Sequence, residues 1–173
     1  MSKKSTKLLD VIVIGAGASG MMAAITAARR GKSVAILERM NKPGKKILAT
    51  GNGKCNFTNN NMDTSRFHGN IQLIQSVLDR FSKEDTLSFF HEIGIWPKEK
   101  NGYYYPNSGQ AASVVEAFNH ELNRLHVPVY LEQEVLDLFP DKYGFRIKTV
   151  QTSYTCRNVI AVSYTHLRAH ETR

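Results

Sequence analysis

The sequence predicts an α/β fold built on a parallel sheet, because two short apolar runs flank an alanine-rich segment. Residues 8–14 form a β-branched run, the pattern of a strand buried on both faces. Residues 19–30 are small and helix-compatible, and Gly31 stands where a helix C-cap belongs. Val34–Leu37 is the second apolar run. A strand–helix–strand unit of about thirty residues is right-handed, with parallel strands, in nearly all cases.

The composition of the 173-residue chain, with 42% hydrophobic and 22% charged residues, is that of one globular domain. Cys55 and Cys156 are too few and too far apart for a disulfide framework or a paired-cysteine metal site, so we expect a reducing, cytoplasmic location.

Residues 11–28 lack charge, but the glycines among them predict a strand, a turn and a helix and no membrane span. The net charge of +8 is scattered, which does not predict nucleic-acid binding.

A long loop and two helices are predicted next. Residues 41–70 are rich in Gly, Asn, Lys and Thr and predict a loop far longer than the usual connection. Residues 71–81 carry apolar side chains at helical spacing. Ser82 and Asp85 match a capping box, which indicates that a second helix begins there and extends to Gly94.

Short strands dominate the remainder of the chain. Residues 96–105 predict a hairpin that turns at Asn101 and Gly102. Ser108 is placed to cap a further helix with one apolar stripe. Four strands are then predicted at residues 127–131, 135–139, 143–150 and 154–162, with turns at Pro140, Asp141 and Asn158.

The pattern Gly15-x-Gly17-x-x-Gly20 follows the first strand and opens the helix, the context in which it is informative. The first glycine permits a tight turn, the second lets the backbone approach a pyrophosphate, and the third lets helix and strand pack closely. Phosphate charge would meet unpaired amides and the positive end of the helix dipole. Glu38 ends the second strand, eighteen residues after Gly20, where an acidic residue binds the adenosine ribose. The pattern predicts a Rossmann-like site for FAD or NAD; the alternative is a tight β–α turn without a ligand.

The loop after the second strand favours FAD, because a flavin dinucleotide extends past the pyrophosphate into the protein. Residues 42–46 supply lysines, and residues 51–59 supply flexible backbone with amide and hydroxyl donors.

The segments VIVIGAGASGMMAA, LER and PGKKILATGNGKCNFTN resemble the bacterial NAD(P)/FAD-dependent oxidoreductases of the aminoacetone oxidase family, some of which are associated with reduction of bile-acid intermediates. GxGKCNxTN is specific to that family, where GGGRCNxTN is usual, and the resemblance extends through GYYYPNS to Ala161. It implies a Rossmann-like FAD-binding domain of glutathione-reductase type, with a parallel sheet plus a β-meander. Because family members are longer than this chain, we expect residues 1–162 to be the N-terminal part of that domain, hence truncated, and residues 163–173 to be a non-native tail.

The resemblance also implies cofactor contacts at named positions. The pyrophosphate loop corresponds to Gly15, Gly17, Ala18, Ser19 and Gly20, and the ribose contacts to Glu38 and Arg39. Contacts further along FAD correspond to Lys45, Lys46, Gly53, Lys54, Cys55 and Asn56, and the backbone of Val135 corresponds to the position that meets adenine.

The activity that the resemblance implies is hydride transfer between flavin and NAD(P)H or an organic small molecule. Catalytic residues, the substrate and the oligomeric state stay open, and no metal ligands are assigned. A non-catalytic FAD- or NAD-binding module is the alternative, and a flavoprotein that modifies RNA is a third interpretation. Cys55 has no second cysteine near it in sequence, so we interpret it as a loop residue rather than a redox thiol.

Overall fold

The computed structural model describes residues 8–162 and the backbone of Arg168–Ala169. The strands are β1 (Leu9–Ile14), β2 (Val34–Leu37), β3 (Thr58–Asn59), β4 (Pro97–Lys100), β5 (Tyr103–Pro106), β6 (Val129–Tyr130), β7 (Val135–Asp141), β8 (Gly144–Thr149), β9 (Ser153–Ala161) and β10 (Arg168–Ala169). The helices are α1 (Ala18–Arg29), α2 (Lys45–Ala49), α3 (Ile71–Arg80), α4 (Lys83–Glu92) and α5 (Ala111–Arg124). Apart from the backbone of β10, the tail expected at residues 163–173 lies outside the described residues.

The chain divides into two compact units, residues 1–45 with 119–173 and residues 46–118. The first unit contains a sheet in the order β10-β7-β8-β9-β1-β2-β6. Strands β9, β1, β2 and β6 are parallel, with Val11 opposite Val34 and Ile14 opposite Ala161. Strands β7, β8 and β9 are antiparallel and form the β-meander. The predicted α/β fold, a parallel sheet plus a β-meander, is confirmed.

The core of the first unit joins the parallel strands to the meander. Buried side chains from β1, β2, β8 and β9 form it: Ile12, Ile14, Leu37, Ile147 and Cys156. Val135 and Tyr154 pack against this cluster. Burying one such aliphatic side chain stabilises the fold by about 1.5–3 kcal/mol relative to exposure. The core therefore fixes the carboxyl ends of β1 and β2, where the dinucleotide site is predicted.

Helix α1 follows the glycine-rich turn and ends at Arg29, and Gly31, directly after the C-cap residue Arg30, has the left-handed φ of 74° that favours glycine there. Near its last turn, Arg29 donates to the buried Glu121 carboxylate of α5 at 2.9 Å. Arg124 donates to the same carboxylate at 2.7 Å. One carboxylate between two guanidinium groups therefore links α1 to α5.

Within the described residues, every helix is too short or too polar to cross a membrane.

The second unit contains the antiparallel sheet β3-β5-β4 and helices α3 and α4. The hairpin turns at Asn101 and Gly102, whose φ values of 53° and 82° confirm the prediction. Ser82 and Asp85 form the predicted capping box at the start of α4. Aromatic rings pack together in this unit, with centroids 4.2–6.0 Å apart: Phe57, Phe89, Phe90 and Phe118.

The loop expected at residues 41–70 contains more secondary structure than predicted. It includes α2, β3 and two 3-10 turns, Thr50–Gly53 and Thr64–Arg66. Strand β3 forms because the Phe57 N–H donates to the carbonyl of Tyr104 at 3.1 Å. That partner is distant in sequence, so local composition does not reveal the strand.

The turn expected at Pro140 and Asp141 was misplaced, because both residues lie in β7 and the turn follows at residues 142–143. Gly144, the residue directly after the turn, explains where the turn lies. Its φ is 140°, and a Cβ there would overlap the carbonyl oxygen of Cys156 on β9. The close approach of β8 to β9 thus requires glycine immediately after the turn.

Asn158 and Ser108 also differ from prediction. Asn158 lies inside β9 opposite Val11, and its side-chain amide donates to the Asp10 carbonyl at 3.1 Å. Ser108 lies three residues before α5, and its hydroxyl accepts the Gln110 N–H at 3.2 Å. It therefore shapes the approach to the helix and is not the predicted cap, because the N-cap position, directly before Ala111, is Gln110.

Candidate dinucleotide-binding site

The turn between β1 and α1 is held from both sides by hydrogen bonds. Gly15 has a φ of 107°, and its N–H donates to the Leu37 carbonyl at 2.8 Å. The Ala16 N–H donates to Glu38 Oε2 at 2.6 Å, and the Ala16 carbonyl accepts the Gly44 N–H at 2.8 Å. The turn is therefore fixed before any ligand binds.

The start of α1 presents backbone rather than side chains. Gly17 is the N-cap with a φ of −79°, and no side chain caps the helix. A Cβ at Gly17 would meet no atom within 4 Å, so the space beside this residue is open. Helix geometry leaves the amides of Ala18, Ser19 and Gly20 without intrahelical acceptors. With no acidic residue in its first turn, this helix end suits an anion.

Gly20 serves packing rather than ligand access. A Cβ at this position would overlap the Gly15 carbonyl oxygen and approach Val162 Cγ2 to 3.1 Å. Gly20 therefore lets α1 lie close to the β1 turn and to the end of β9. Gly15 and Gly20 thus have the turn and packing roles that the pattern predicts, whereas the approach of a pyrophosphate to Gly17 stays a prediction.

Glu38 lies at the end of β2 and links several backbone segments. Its Oε2 accepts the Ala16 N–H at 2.6 Å, and its Oε1 accepts the Met40 N–H at 2.8 Å. Its own N–H donates to the Tyr130 carbonyl at 2.9 Å, and its carbonyl accepts the Gln133 N–H at 2.8 Å. Because each carboxylate oxygen can accept a second hydrogen bond, Glu38 can still bind ribose hydroxyls.

Three further predicted positions lie in the first unit. Arg39 is exposed directly after Glu38, and Lys45 is exposed at the start of α2. Val135 is the first residue of β7, as predicted, and is half-buried against the core. The structure thus brings Val135 close to the turn that bonds Glu38, and its contact with adenine stays a prediction.

The other predicted positions lie in the second unit. Lys46, Gly53, Lys54 and Asn56 are exposed there, whereas Cys55 is buried. Left-handed φ values of 54–58° occur at Gly51, Asn52 and Cys55. A Cβ at Gly51 would lie 2.9 Å from the Asn56 nitrogen, so the loop closes tightly on itself. The cofactor contacts expected of this loop stay predictions.

The thiol of Cys55 is not poised for redox chemistry. Burial raises the pKa of the Cys55 thiol, although a hydrogen bond with Thr50 opposes that shift. A raised pKa keeps the group protonated at neutral pH and therefore unreactive as a nucleophile. Cys55 lies in a loop, as predicted, and the absence of a redox role stays a prediction. Within residues 8–162, His, Cys, Asp and Glu side chains form no group of three that could hold a metal ion.

Sequence reasoning missed Gln133, which is buried beside the candidate site. Its N–H bonds the Glu38 carbonyl, and its side-chain oxygen accepts the Thr149 hydroxyl at 2.8 Å. In sequence it is one polar residue among the polar residues 132–134, and no local pattern marks it.

A parallel sheet, an open helix N-terminus after β1 and a carboxylate at the end of β2 define a dinucleotide-binding α/β protein. Residues 9–168 match the model of the HI0933-like protein Rossmann domain, and the chain belongs to that family.

Two curated relatives show how much of a longer protein this chain corresponds to. It is 44% identical over 151 residues to the 3-dehydro-bile acid delta(4,6)-reductase of Clostridium scindens, covering 86% of this chain and 37% of that protein. It is 31% identical over 153 residues to the ribosomal RNA dihydrouridine synthase of Escherichia coli, covering 87% of this chain and 38% of that protein. The chain therefore spans less than two-fifths of the length of either relative.

The fold is also similar to that of the 3-ketosteroid-delta4-(5alpha)-dehydrogenase from Rhodococcus jostii RHA1. The TM-score is 0.65 at 15% sequence identity, and the match covers 92% of this chain and 47% of that one. At this identity the likeness shows the shared fold.

Proposed function

We propose that this chain is the N-terminal part of the FAD-binding domain of an FAD-dependent oxidoreductase, with residues 1–162 belonging to that domain. The observation that carries the proposal is the open backbone at Gly17 beside the Glu38 carboxylate. Backbone N–H groups and the positive end of a helix dipole meet there without a neighbouring acidic residue in the helix. These residues fit a diphosphate joined to a ribose.

The adenosine diphosphate half of FAD is proposed to bind along the ends of β1 and β2. Its pyrophosphate would meet backbone at Gly15, Gly17, Ala18, Ser19 and Gly20, its ribose would meet Glu38 and Arg39, and its adenine would meet the backbone of Val135. Support comes from the hydrogen bonds that hold this turn and Glu38 in place. Donors and acceptors fixed before binding lower the entropic cost of ordering them around a ligand.

The flavin half is proposed to use the loop after β2. Lys45, Lys46, Gly53, Lys54, Cys55 and Asn56 are assigned to it. The exposed lysines supply positive charge, and the tight closure of Gly51 on Asn56 gives the loop a defined shape. The resemblance of GxGKCNxTN to the family pattern supports this assignment.

FAD, when bound, supplies the hydride chemistry, and NAD(P)H is the proposed electron donor for a small-molecule substrate. Identity of 44% to a bile-acid reductase supports a reductive reaction in the whole protein. The residues of this chain bind and orient the cofactor, and no acid or base among them is assigned. A cytoplasmic location is also proposed, supported by the free, buried thiols of Cys55 and Cys156.

A second candidate function is reduction of a base in RNA. The observation that favours it is the 31% identity to a ribosomal RNA dihydrouridine synthase, and the scattered net charge of +8 would supply cations for the phosphates. Positive charge binds phosphate by releasing counterions, so such a protein would bind RNA with a steep salt dependence. Binding of RNA that does not weaken between low and high salt would argue against this candidate.

Titration of the purified chain with FAD tests the main proposal. Quenching of flavin fluorescence should saturate, and ADP should reverse it by competing for the diphosphate and ribose contacts. FAD that does not bind saturably would contradict the proposal. In a longer protein that contains this chain, bleaching of the flavin band by NAD(P)H would support the enzyme over a non-catalytic module.

A further inference from the structure

The strand order identifies the turn next to the ribose site. In the sheet, β1 is followed by β2 and then by β6, and their carboxyl ends carry the glycine turn, Glu38 and residues 131–134. A dinucleotide with its pyrophosphate at α1 and its ribose at Glu38 would place its base toward the turn after β6. Two backbone bonds join that turn to the segment that follows β2: Gln133 N–H to the Glu38 carbonyl at 2.8 Å, and Glu132 N–H to the Met40 carbonyl at 3.2 Å.

The same turn is bonded to the meander from its other side. The Thr149 hydroxyl donates to Gln133 Oε1 at 2.8 Å, and the side chains of both residues are buried, with exposed fractions of 4% and 6%. The Thr149 hydroxyl also accepts the Thr152 N–H at 3.0 Å, and the Thr152 carbonyl lies 3.0 Å from it as a second acceptor. The Val150 N–H donates to the Glu134 carbonyl at 3.0 Å. The conformation of residues 132–134 is therefore set by contacts from both the segment that follows β2 and the β8–β9 turn.

A buried amide–hydroxyl pair gives a core position no clear gain in stability over apolar side chains. Burying a polar group costs free energy unless its hydrogen bonds are made, and two apolar side chains of similar shape can be as stable. What the polar pair adds is one defined geometry for Gln133, because its buried amide oxygen loses the Thr149 hydroxyl in any other arrangement. Glu132, which precedes Gln133 in this turn, has a φ of 56°, in the left-handed region.

We propose that Gln133 is a positioning residue that fixes the base-binding turn, and that its bond to Thr149 sets the preference of the site for adenine. Gln133 acts through the backbone of residues 132–135 and does not itself touch the ligand. This inference rests on the proposed binding of FAD at Glu38 and α1. It adds that the selectivity for the base depends on a buried pair behind the turn.

ADP and UDP are the probes, because they share the ribose and the diphosphate and differ in the base. The affinity of the 173-residue chain for each is measured by calorimetry or by displacement of FAD. The wild-type chain should prefer ADP. Gln133→Met, which keeps the side-chain length and removes the acceptor, should move the ADP-to-UDP affinity ratio toward one, because the base-binding turn loses the bond that fixes its geometry. Gln75→Met, on the exposed face of α3, is the matched control and should leave the ratio unchanged.

Thr149 gives an independent pair of variants if Gln133→Met does not fold. Thr149→Val removes the hydroxyl and should lower the ratio, whereas Thr149→Ser keeps the hydroxyl and should preserve it. A wild-type chain that binds FAD but prefers neither nucleotide, or variants whose ratio equals that of the wild type, would overturn the role of Gln133 alone. A wild-type chain that does not bind FAD would instead overturn the proposed function.

Discussion

Glu38 Oε2 accepts the backbone N–H of Ala16 at 2.6 Å, so the carboxylate at the end of β2 directly braces the glycine turn after β1. The second oxygen, Oε1, accepts the Met40 N–H at 2.8 Å. One side chain therefore orders the segment proposed to bind pyrophosphate and also presents acceptors for the ribose. The two halves of the candidate site are coupled through this residue.

Glu38→Ala should weaken FAD binding by roughly tenfold or more, because it removes charge-assisted hydrogen bonds worth about 1.5–3 kcal/mol each. The measurement is the dissociation constant from fluorescence titration. Glu116→Ala, which removes an exposed carboxylate from α5, is the control and should bind FAD as the wild type does. An unchanged FAD affinity in Glu38→Ala would remove Glu38 from the site.

Gly20→Ala should destabilise the chain by about 1–3 kcal/mol or more, because its Cβ would overlap the Gly15 carbonyl oxygen and either the helix or the turn must shift. Gly17→Ala adds the same methyl group in open space at a φ that any residue adopts, and is the matched control. Thermal unfolding of both variants compares them. Equal melting temperatures for the two variants would contradict the packing role of Gly20.

Glu121→Gln should lower stability at neutral pH and reduce the loss of stability at acidic pH. Hydrogen bonds from Arg124, then from Arg29, lower the pKa of the Glu121 carboxyl. A group whose folded-state pKa is depressed stabilises the fold above its unfolded-state pKa, and this stabilisation is lost as pH falls through the folded-state value. The measurement is the free energy of unfolding by urea between pH 3 and pH 7. This interval spans the ordinary pKa of a carboxyl group, about 4.

The control for Glu121 is Glu116→Gln, an exposed carboxylate on the same helix, which should keep the wild-type pH dependence. If Glu121→Gln and the wild-type chain lost stability in parallel on acidification, the ion pairs of Glu121 would not contribute to the pH dependence.

The native chain should react slowly with iodoacetamide at neutral pH and rapidly in urea. Cys55 and Cys156 are buried, and burial raises the pKa of both thiols, which keeps them protonated. Mass spectrometry of the labelled chain, with Cys156→Ala to isolate Cys55, gives each rate. Labelling of native Cys55 as fast as in urea would show that this thiol is reactive and would reopen a redox role.

Elements of both units were predictable where their signals are local. The β1–α1–β2 segment follows from apolar runs and a glycine motif, and the capping box of Ser82 and the turn at Asn101 depend on residues close in sequence. The β7–β8 turn was misplaced because Gly144 is required by contact with β9, a tertiary relationship. Gln133 escaped notice because its partner Thr149 is sixteen residues away on another strand.

The FAD affinity of Gly17→Leu tests the central claim most directly, because a leucine at this open position should leave the fold intact while filling the space proposed for the pyrophosphate. Ala112→Leu, on an exposed position of α5, adds similar bulk away from the site. We predict that Gly17→Leu stays folded, with a somewhat lower melting temperature because leucine is a poorer N-cap than glycine, and loses saturable FAD binding, whereas Ala112→Leu stays folded and binds FAD. Wild-type FAD affinity in a folded Gly17→Leu chain would contradict the account.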